Sequence, residues 1–201
     1  KTMLKNIFTF VLVLFLYFSN IIVYSSVKDN NDISEYLNSL KQFSCNFIQA
    51  NPDGSVSEGN LLYFDKKLKI NYIKPTNIIF VVKKNRAMYF NKDLEEVRYF
   101  NPENSILDIL DSLFEIDKLA EEDYKISRDN NVITIFMDTE ITDEIINYKI
   151  IFQNNPIALK KIKWKNQNNE SSFSIFDIST NVEINKKTFS LANPLPPAKS
   201  N

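Results

Sequence analysis

The sequence predicts a mainly β protein with helices (α+β), built on one large curved antiparallel sheet of about ten or eleven strands. Three observations predict it. Short runs of alternating apolar and polar residues follow one another along most of the chain, joined by polar connections such as "KPTN" and "NKDL". In "KLKINYI" the apolar Leu68, Ile70 and Tyr72 alternate with Lys69 and Asn71, so one face is dry and the other wet, as in an antiparallel meander. Helical spacing appears in an N-terminal and a mid-chain stretch. A sheet of this size curls, and two helices can cover its concave apolar face.

Taken in order, the chain reads "MLKNIFTFVLVLFLYFSNIIVYSS" from Met3, apolar from Ile7 to Tyr24 after one early lysine. Val23 and Ser25 suit the −3 and −1 positions of a cleavage after Ser25, which predicts a signal peptide over residues 1–25 and export. The apolar run is long, so an uncleaved anchor is the other reading. The β-domain then spans 26–194, and 195–201 form a proline-rich tail. Asp32 with Glu35 resembles a capping box, and Ile33, Tyr36, Leu37 and Leu40 form one stripe, predicting a helix over 33–41. Phe43, Cys45 and Phe47 alternate with polar residues as a strand, with Cys45 a small buried residue.

Both glycines of the chain fall in "NPDGSVSEGNLLYF". Gly54 closes the turn after Pro52 and Asp53 in a left-handed conformation, and Gly59 lets the returning strand bulge or approach another backbone. Strands follow over 61–65, 67–73, 78–83, 87–91 and 95–100. "NSILDILDSLF" interrupts them: Ser105 with Asp108 resembles a second capping box, and Ile106, Ile109, Leu110 and Leu113 form its stripe. "DKLAEED" reads as a further helical turn. Strands return over 123–128, 132–138, 147–152, 158–166, 172–178 and 181–184.

Composition narrows the function. Lys and Arg total 24 against 25 Asp and Glu; without residues 1–25 the balance is 22 against 25, a net of −3, with no electrostatic footprint for nucleic acid. The chain has no histidine, which excludes Ser-His-Asp and Cys-His catalysis. Its single cysteine permits neither an internal disulfide nor an ordinary zinc site. Asp138, Glu140, Asp143 and Glu144 fit no calcium-loop spacing and read as a solvated turn. No cofactor is implied, and enzyme is the weaker reading.

These features resemble the periplasmic outer-membrane lipoprotein carrier proteins (LolA type). The resemblance rests on Phe47-Ile48-Gln49, Gly59, Tyr72 with Pro75, the strands "IIFVVKKN" and "MYFNKDLEEVRYF", and the helix start at Asn104-Ser105-Ile106 followed by Leu107 and Leu110. It continues in "NPIALKKIKWKN" with Trp164 and in "NVEINKKTFSLANP". It covers Ile33 to Pro194 and lies in the order and spacing of individually weak pieces.

The resemblance implies an open half-barrel with the helices as a lid over an apolar cavity. It further implies a monomeric periplasmic chaperone carrying lipoproteins from the inner to the outer membrane. Its partners would be a lipoprotein-releasing ABC transporter at the inner membrane and a lipoprotein receptor at the outer membrane. Burying a methylene is worth about 0.8 kcal/mol, so a chain of roughly a dozen methylenes needs such a shelter to cross water. Alternation places Leu68, Ile70 and Tyr72 on the concave face with Phe80 and Val82 beside them, Ile106 and Leu110 facing them from the lid helix and Ile162 and Trp164 closing the far side; the resemblance implies that these residues bind the acyl chains, and plain core contact is the other reading. The family's lid-holding arginine is absent from "YFDKKLKINY"; Lys66 and Lys67, the nearest positive charges, take its place as lid contacts without the bidentate guanidinium contact, and two solvated loop charges is the other reading. The alternatives are an exported or membrane-anchored β-domain with a permanently packed core that binds protein partners, and a carboxylate-dependent hydrolase.

Overall fold

The computed structural model describes residues 28–102, 106–116, 123–141, 144–167 and 169–196. The signal segment 1–25, the turn at 117–122, Ser105 and the end of the tail lie outside these residues. Residues 1–32 and 33–201 form two compact units. Of the first, 28–32 are described, as the opening of helix α1, Lys28–Ser39. The second unit is described below. Among the described residues, no helix is long and apolar enough to cross a membrane.

Eleven strands follow α1: β1 Gln42–Ala50, β2 Val56–Phe64, β3 Lys67–Lys74, β4 Ile78–Lys83, β5 Arg86–Asn91, β6 Glu96–Phe100, then helix α2 Ile106–Phe114, and β7 Tyr124–Asp129, β8 Val132–Ile141, β9 Glu144–Gln153, β10 Ala158–Asn166 and β11 Asn169–Ser179. They form one open antiparallel sheet in the order β6-β5-β4-β3-β2-β1-β11-β10-β9-β8-β7. Two meanders, β1–β6 and β7–β11, are thus joined by the pairing of β1 with β11, and α2 connects the two edge strands. Register shifts in the β1–β11, β2–β3 and β9–β10 pairs supply bends near the middle of the sheet, where a curling sheet needs them.

Helix α1 begins at Lys28, so Asp32 lies inside it and is not its N-cap, and it ends at Ser39, two residues short of the predicted Lys41. Its stripe is as predicted: Ile33, Leu37 and Leu40 are buried, with Tyr36 half-buried beside them. The backbone N–H of Leu159, next to the β10 irregularity, donates to the Tyr36 hydroxyl at 2.9 Å, so the helix satisfies a donor near the break in the ladder. Gly54 has φ +82°, the left-handed turn position. Gly59 sits beside the β2–β3 register shift, and a Cβ there would lie 2.1 Å from the Asn71 carbonyl oxygen and 2.8 Å from the Phe47 ring.

The segment 181–184 is not a strand. Both neighbours of β11 are already β1 and β10, so no ladder position remains for it. It runs instead beside the sheet: the Gln42 side-chain amide donates to the Val182 carbonyl at 2.7 Å. Ile184, Phe189 and Leu191 then join Val81, Met88, Leu62, Phe64, Ile79, Phe90 and Val97 in a second apolar cluster on the outer face of the β2–β6 half. That face is therefore not wet throughout. "IIFVVK" reads as a continuous apolar run because β4 is covered on both sides.

Candidate functional site

The main core occupies the inner face of the sheet, under both helices. Period-two alternation and antiparallel register place side chains there in cross-strand rows. One row runs Phe43, Tyr63, Leu68, Val82 and Ala87; the next runs Cys45, Leu61, Ile70 and Phe80. In the other half Phe173, Ile162, Ile150 and Ile135 form one row and Ser171, Trp164, Tyr148 and Met137 another. The strand residues expected to meet an acyl chain (Leu68, Ile70, Tyr72, Phe80, Val82, Ile162 and Trp164) thus lie on one face and in one apolar cluster with Leu110 of α2. Ile106 opens α2, and its side chain lies outside the described residues.

Within that face exposure divides the residues. Leu68, Ile70, Val82, Ile162 and Leu110 are buried, each at most 5% exposed. The buried leucines of α2 are Leu107, Leu110 and Leu113, while Ile109, placed on the stripe by spacing, is only half-buried. Tyr72, Phe80 and Trp164 are half-buried.

An aromatic path begins at Phe47, stacked on Phe173 with ring centroids 4.3 Å apart and edge-on to Tyr72 at 5.2 Å. It continues through Tyr72–Phe80 at 6.0 Å to Phe80–Tyr89 at 5.2 Å and Phe80–Phe100 at 6.4 Å. The path leaves the buried core and ends at Phe100, 44% exposed, on the edge strand β6. Tyr72 is fixed in it by donating to Gln49 Oε1 at 2.7 Å, and burial pushes its phenol up to about 12. Tyr89 and Phe100 were not among the predicted site residues; the period-two spacing that puts Tyr89 on the face of Ala87, with Phe100 directly across from Ala87, carried the signal.

Three contacts hold the C-terminal half of α2 to the β2–β3 hairpin. Phe114 packs on Tyr63 and Phe43, with centroids at 4.9 and 6.2 Å. The Tyr63 hydroxyl donates to Asp111 Oδ1 at 2.8 Å, and burial, then the Asp111 carboxylate, push the phenol well above its ordinary range. Lys66 Nζ lies 3.1 Å from Glu115 Oε1, just past the helix end, and this hydrogen bond raises the lysine pKa. Lys67 turns to Asp65 at 2.9 Å and over the Phe64 ring, within its own hairpin. Asp65 and Lys66 both have positive φ, the two-residue turn geometry that usually selects Asn-Gly, and it carries Lys66 toward α2.

This face is chemically apolar. Cys45, beneath it, is buried with its thiol pushed up to about 12 by desolvation, so it is a packed residue and a poor nucleophile. Among the described residues no three His, Cys, Asp or Glu side chains are grouped to hold a metal ion. Asp138 accepts from Asn147 at 2.8 Å on the outer face, and the side chains of Glu140, Asp143 and Glu144 lie outside the described residues.

An open antiparallel sheet with two short helices packed on one apolar face defines the class of protein. The sequence profile described as outer membrane lipoprotein carrier protein LolA matches residues 38–192, and the chain belongs to that family. Among solved structures it is similar to LprF from Mycobacterium bovis, at 12% identity and TM-score 0.42, over 77% of this chain and 93% of that one. It is similar also to MucB, solved in complex with MucA(peri), at 12% identity and TM-score 0.42, over 81% of this chain and 58% of the other. No curated protein sequence matches it.

Proposed function

We propose that this chain is a periplasmic chaperone that shelters the acyl chains of lipoproteins between the inner face of its sheet and helix α2. It would take them from a lipoprotein-releasing ABC transporter at the inner membrane and deliver them to an outer-membrane receptor, acting as a monomer without catalysis. The observation that carries this reading is the aromatic path Tyr72–Phe80–Tyr89–Phe100, an apolar floor continuous with the buried core yet open toward the sheet edge. An acyl chain entering there meets Ile70, Leu68 and Val82 next, where α2 now lies.

Displacing α2 removes three buried leucines, each worth roughly 2–4 kcal/mol when its space is left empty. Acyl methylenes filling the same space offset that loss, so α2 and cargo exchange over one surface. Lys66 and Tyr63 hold the helix while the site is vacant, in the role the family gives to an arginine. The carrier uses no energy of its own, because its onward handover follows the better apolar site.

The tight burial of Leu107, Leu110 and Leu113 favours a second reading, a permanently packed domain that binds protein partners. The test adds the purified protein to spheroplasts and assays release of a membrane lipoprotein as a soluble one-to-one complex. Release is the expected outcome. A folded protein that releases none overturns the carrier reading and leaves the packed domain.

A further inference from the structure

The outer face of the β7–β11 half carries a feature that the lipoprotein shelter does not use. A groove of about 700 Å³ lies across β7 to β11, lined by Lys125, Lys149, Lys163 and Lys165 among others. Register sets them in two adjacent rows. The first crosses the sheet as Lys125, Phe136, Lys149 and Lys163; the second as Asp138, Asn147, Lys165 and Glu170. Lys149 and Lys163 are therefore direct cross-strand partners, an arrangement of like charges that destabilises a sheet.

Four lysines line the groove against three acids, so the acids offset the lysines only in part. Glu170 is committed to Lys163 at 2.7 Å, and Asp138 accepts from Asn147. Asp123 also lines the groove. Lys149 rests over the Phe136 ring at 5.7 Å, and Lys125, Lys149 and Lys165 have no ion-pair partner among the described residues. The Glu170 carboxyl is held below its ordinary range by Lys163 first and by Lys149 and Lys165 at longer reach, so three ammonium groups share one small anion.

We infer that this groove binds a phosphate ester, its anionic oxygens on Lys149, Lys163 and Lys165 and the attached organic group against Phe136. Phosphate suits lysine as a set of point charges that can converge on it, and it replaces the single Glu170 carboxylate with more acceptor oxygens. The groove is several times larger than an inorganic ion requires and matches pockets for an organic ligand, which is why an ester is favoured over free phosphate.

The test is titration of the purified full chain with inorganic phosphate and phenyl phosphate in one arm, and with phosphatidylglycerol against phosphatidylcholine vesicles in the other. Binding of phenyl phosphate identifies a soluble ester; binding of phosphatidylglycerol vesicles alone identifies a lipid headgroup at a bilayer. In either arm, Lys149→Gln with Lys165→Gln is expected to weaken binding about tenfold or more, and salt to weaken it further. Glu170→Gln, which frees Lys163, is expected to tighten it several-fold, a gain that misfolding cannot mimic. Leu113→Ala, on the opposite face, should leave it unchanged. Binding in neither arm, or binding indifferent to the lysines and to Glu170, overturns the assignment.

Discussion

The two glycines show how differently one residue type is used. At Gly54 nothing lies within 4 Å of an added Cβ, and only φ +82° disfavours a side chain. At Gly59 the obstacle is a backbone oxygen and the Phe47 ring, neither of which can yield without moving β3 or the aromatic path. Gly54→Ala should therefore cost about 1 kcal/mol, the left-handed penalty, and Gly59→Ala about 3 kcal/mol or more, with β2–β3 disturbed. Urea unfolding of both variants checks this, and equal costs would contradict it. Elsewhere the chain places Asp65, Lys66, Lys84, Glu95, Asn130, Gln167 and Asp177 at positive φ, where glycine is the ordinary choice. Asp177 sits at the β1–β11 irregularity and the others in turns; Asp65, Asn130 and Asp177 are types that tolerate this conformation, whereas the lysines, Glu95 and Gln167 gave no sign of it in the sequence.

At the scale of elements, α2 is the part on which the proposed function turns. Its apolar stripe was legible, and its rotation was not: spacing favoured Ile109 with Leu110 and Leu113, whereas Leu107, Leu110 and Leu113 are buried. The difference is set by the hairpin contacts through Tyr63 and Lys66, which no periodicity encodes. Those contacts predict graded loosening. Tyr63→Phe removes one partly buried hydrogen bond, worth about 1 kcal/mol, and should speed amide exchange in α2 about fivefold while the central strands keep their protection. Lys66→Ala breaks an exposed ion pair and should leave the unfolding midpoint where it is, with any change confined to α2. Hydrogen exchange read by mass spectrometry separates the cases. Loosening that spread to β1 and β11 would mean that α2 is no independent lid.

The strands were more legible than the helices, for a physical reason. Ile78–Lys83 and Ala158–Asn166 were bounded to the residue because turns flank both, an unbroken apolar run marking the first and alternation from Lys161 to Lys165 the second. The same regularity placed seven expected acyl contacts on one face, since register and alternation leave no other arrangement. Which of those seven are open was not legible, because that depends on where α2 stops. The apparent strand at 181–184 misled for the complementary reason. Val182 and Ile184 alternate with Asn181 and Glu183 much as a strand would, yet they follow an outer surface whose neighbours are distant in sequence.

For the whole molecule this yields a sheet with separate apolar clusters on its opposite faces. The inner one holds both helices, and the outer one is closed by the segment ending in Ile184, Phe189 and Leu191. If the inner face exchanges α2 for cargo, the sheet beneath must keep its curvature while its own cover leaves, and the outer cluster is what can brace it. Phe189, 5% exposed against Val81 and Met88, is the test residue. Phe189→Ala should cost about 3 kcal/mol of stability yet leave lipoprotein release per folded molecule unaltered, because it touches no inner residue. Leu113→Ala should cost a similar amount and also change release, since it hollows the surface that cargo and helix share. Denaturation and spheroplast release measured on the same two variants decide the matter. Equal effects on release would mean that the faces are coupled, with the outer segment part of the cargo site rather than its support.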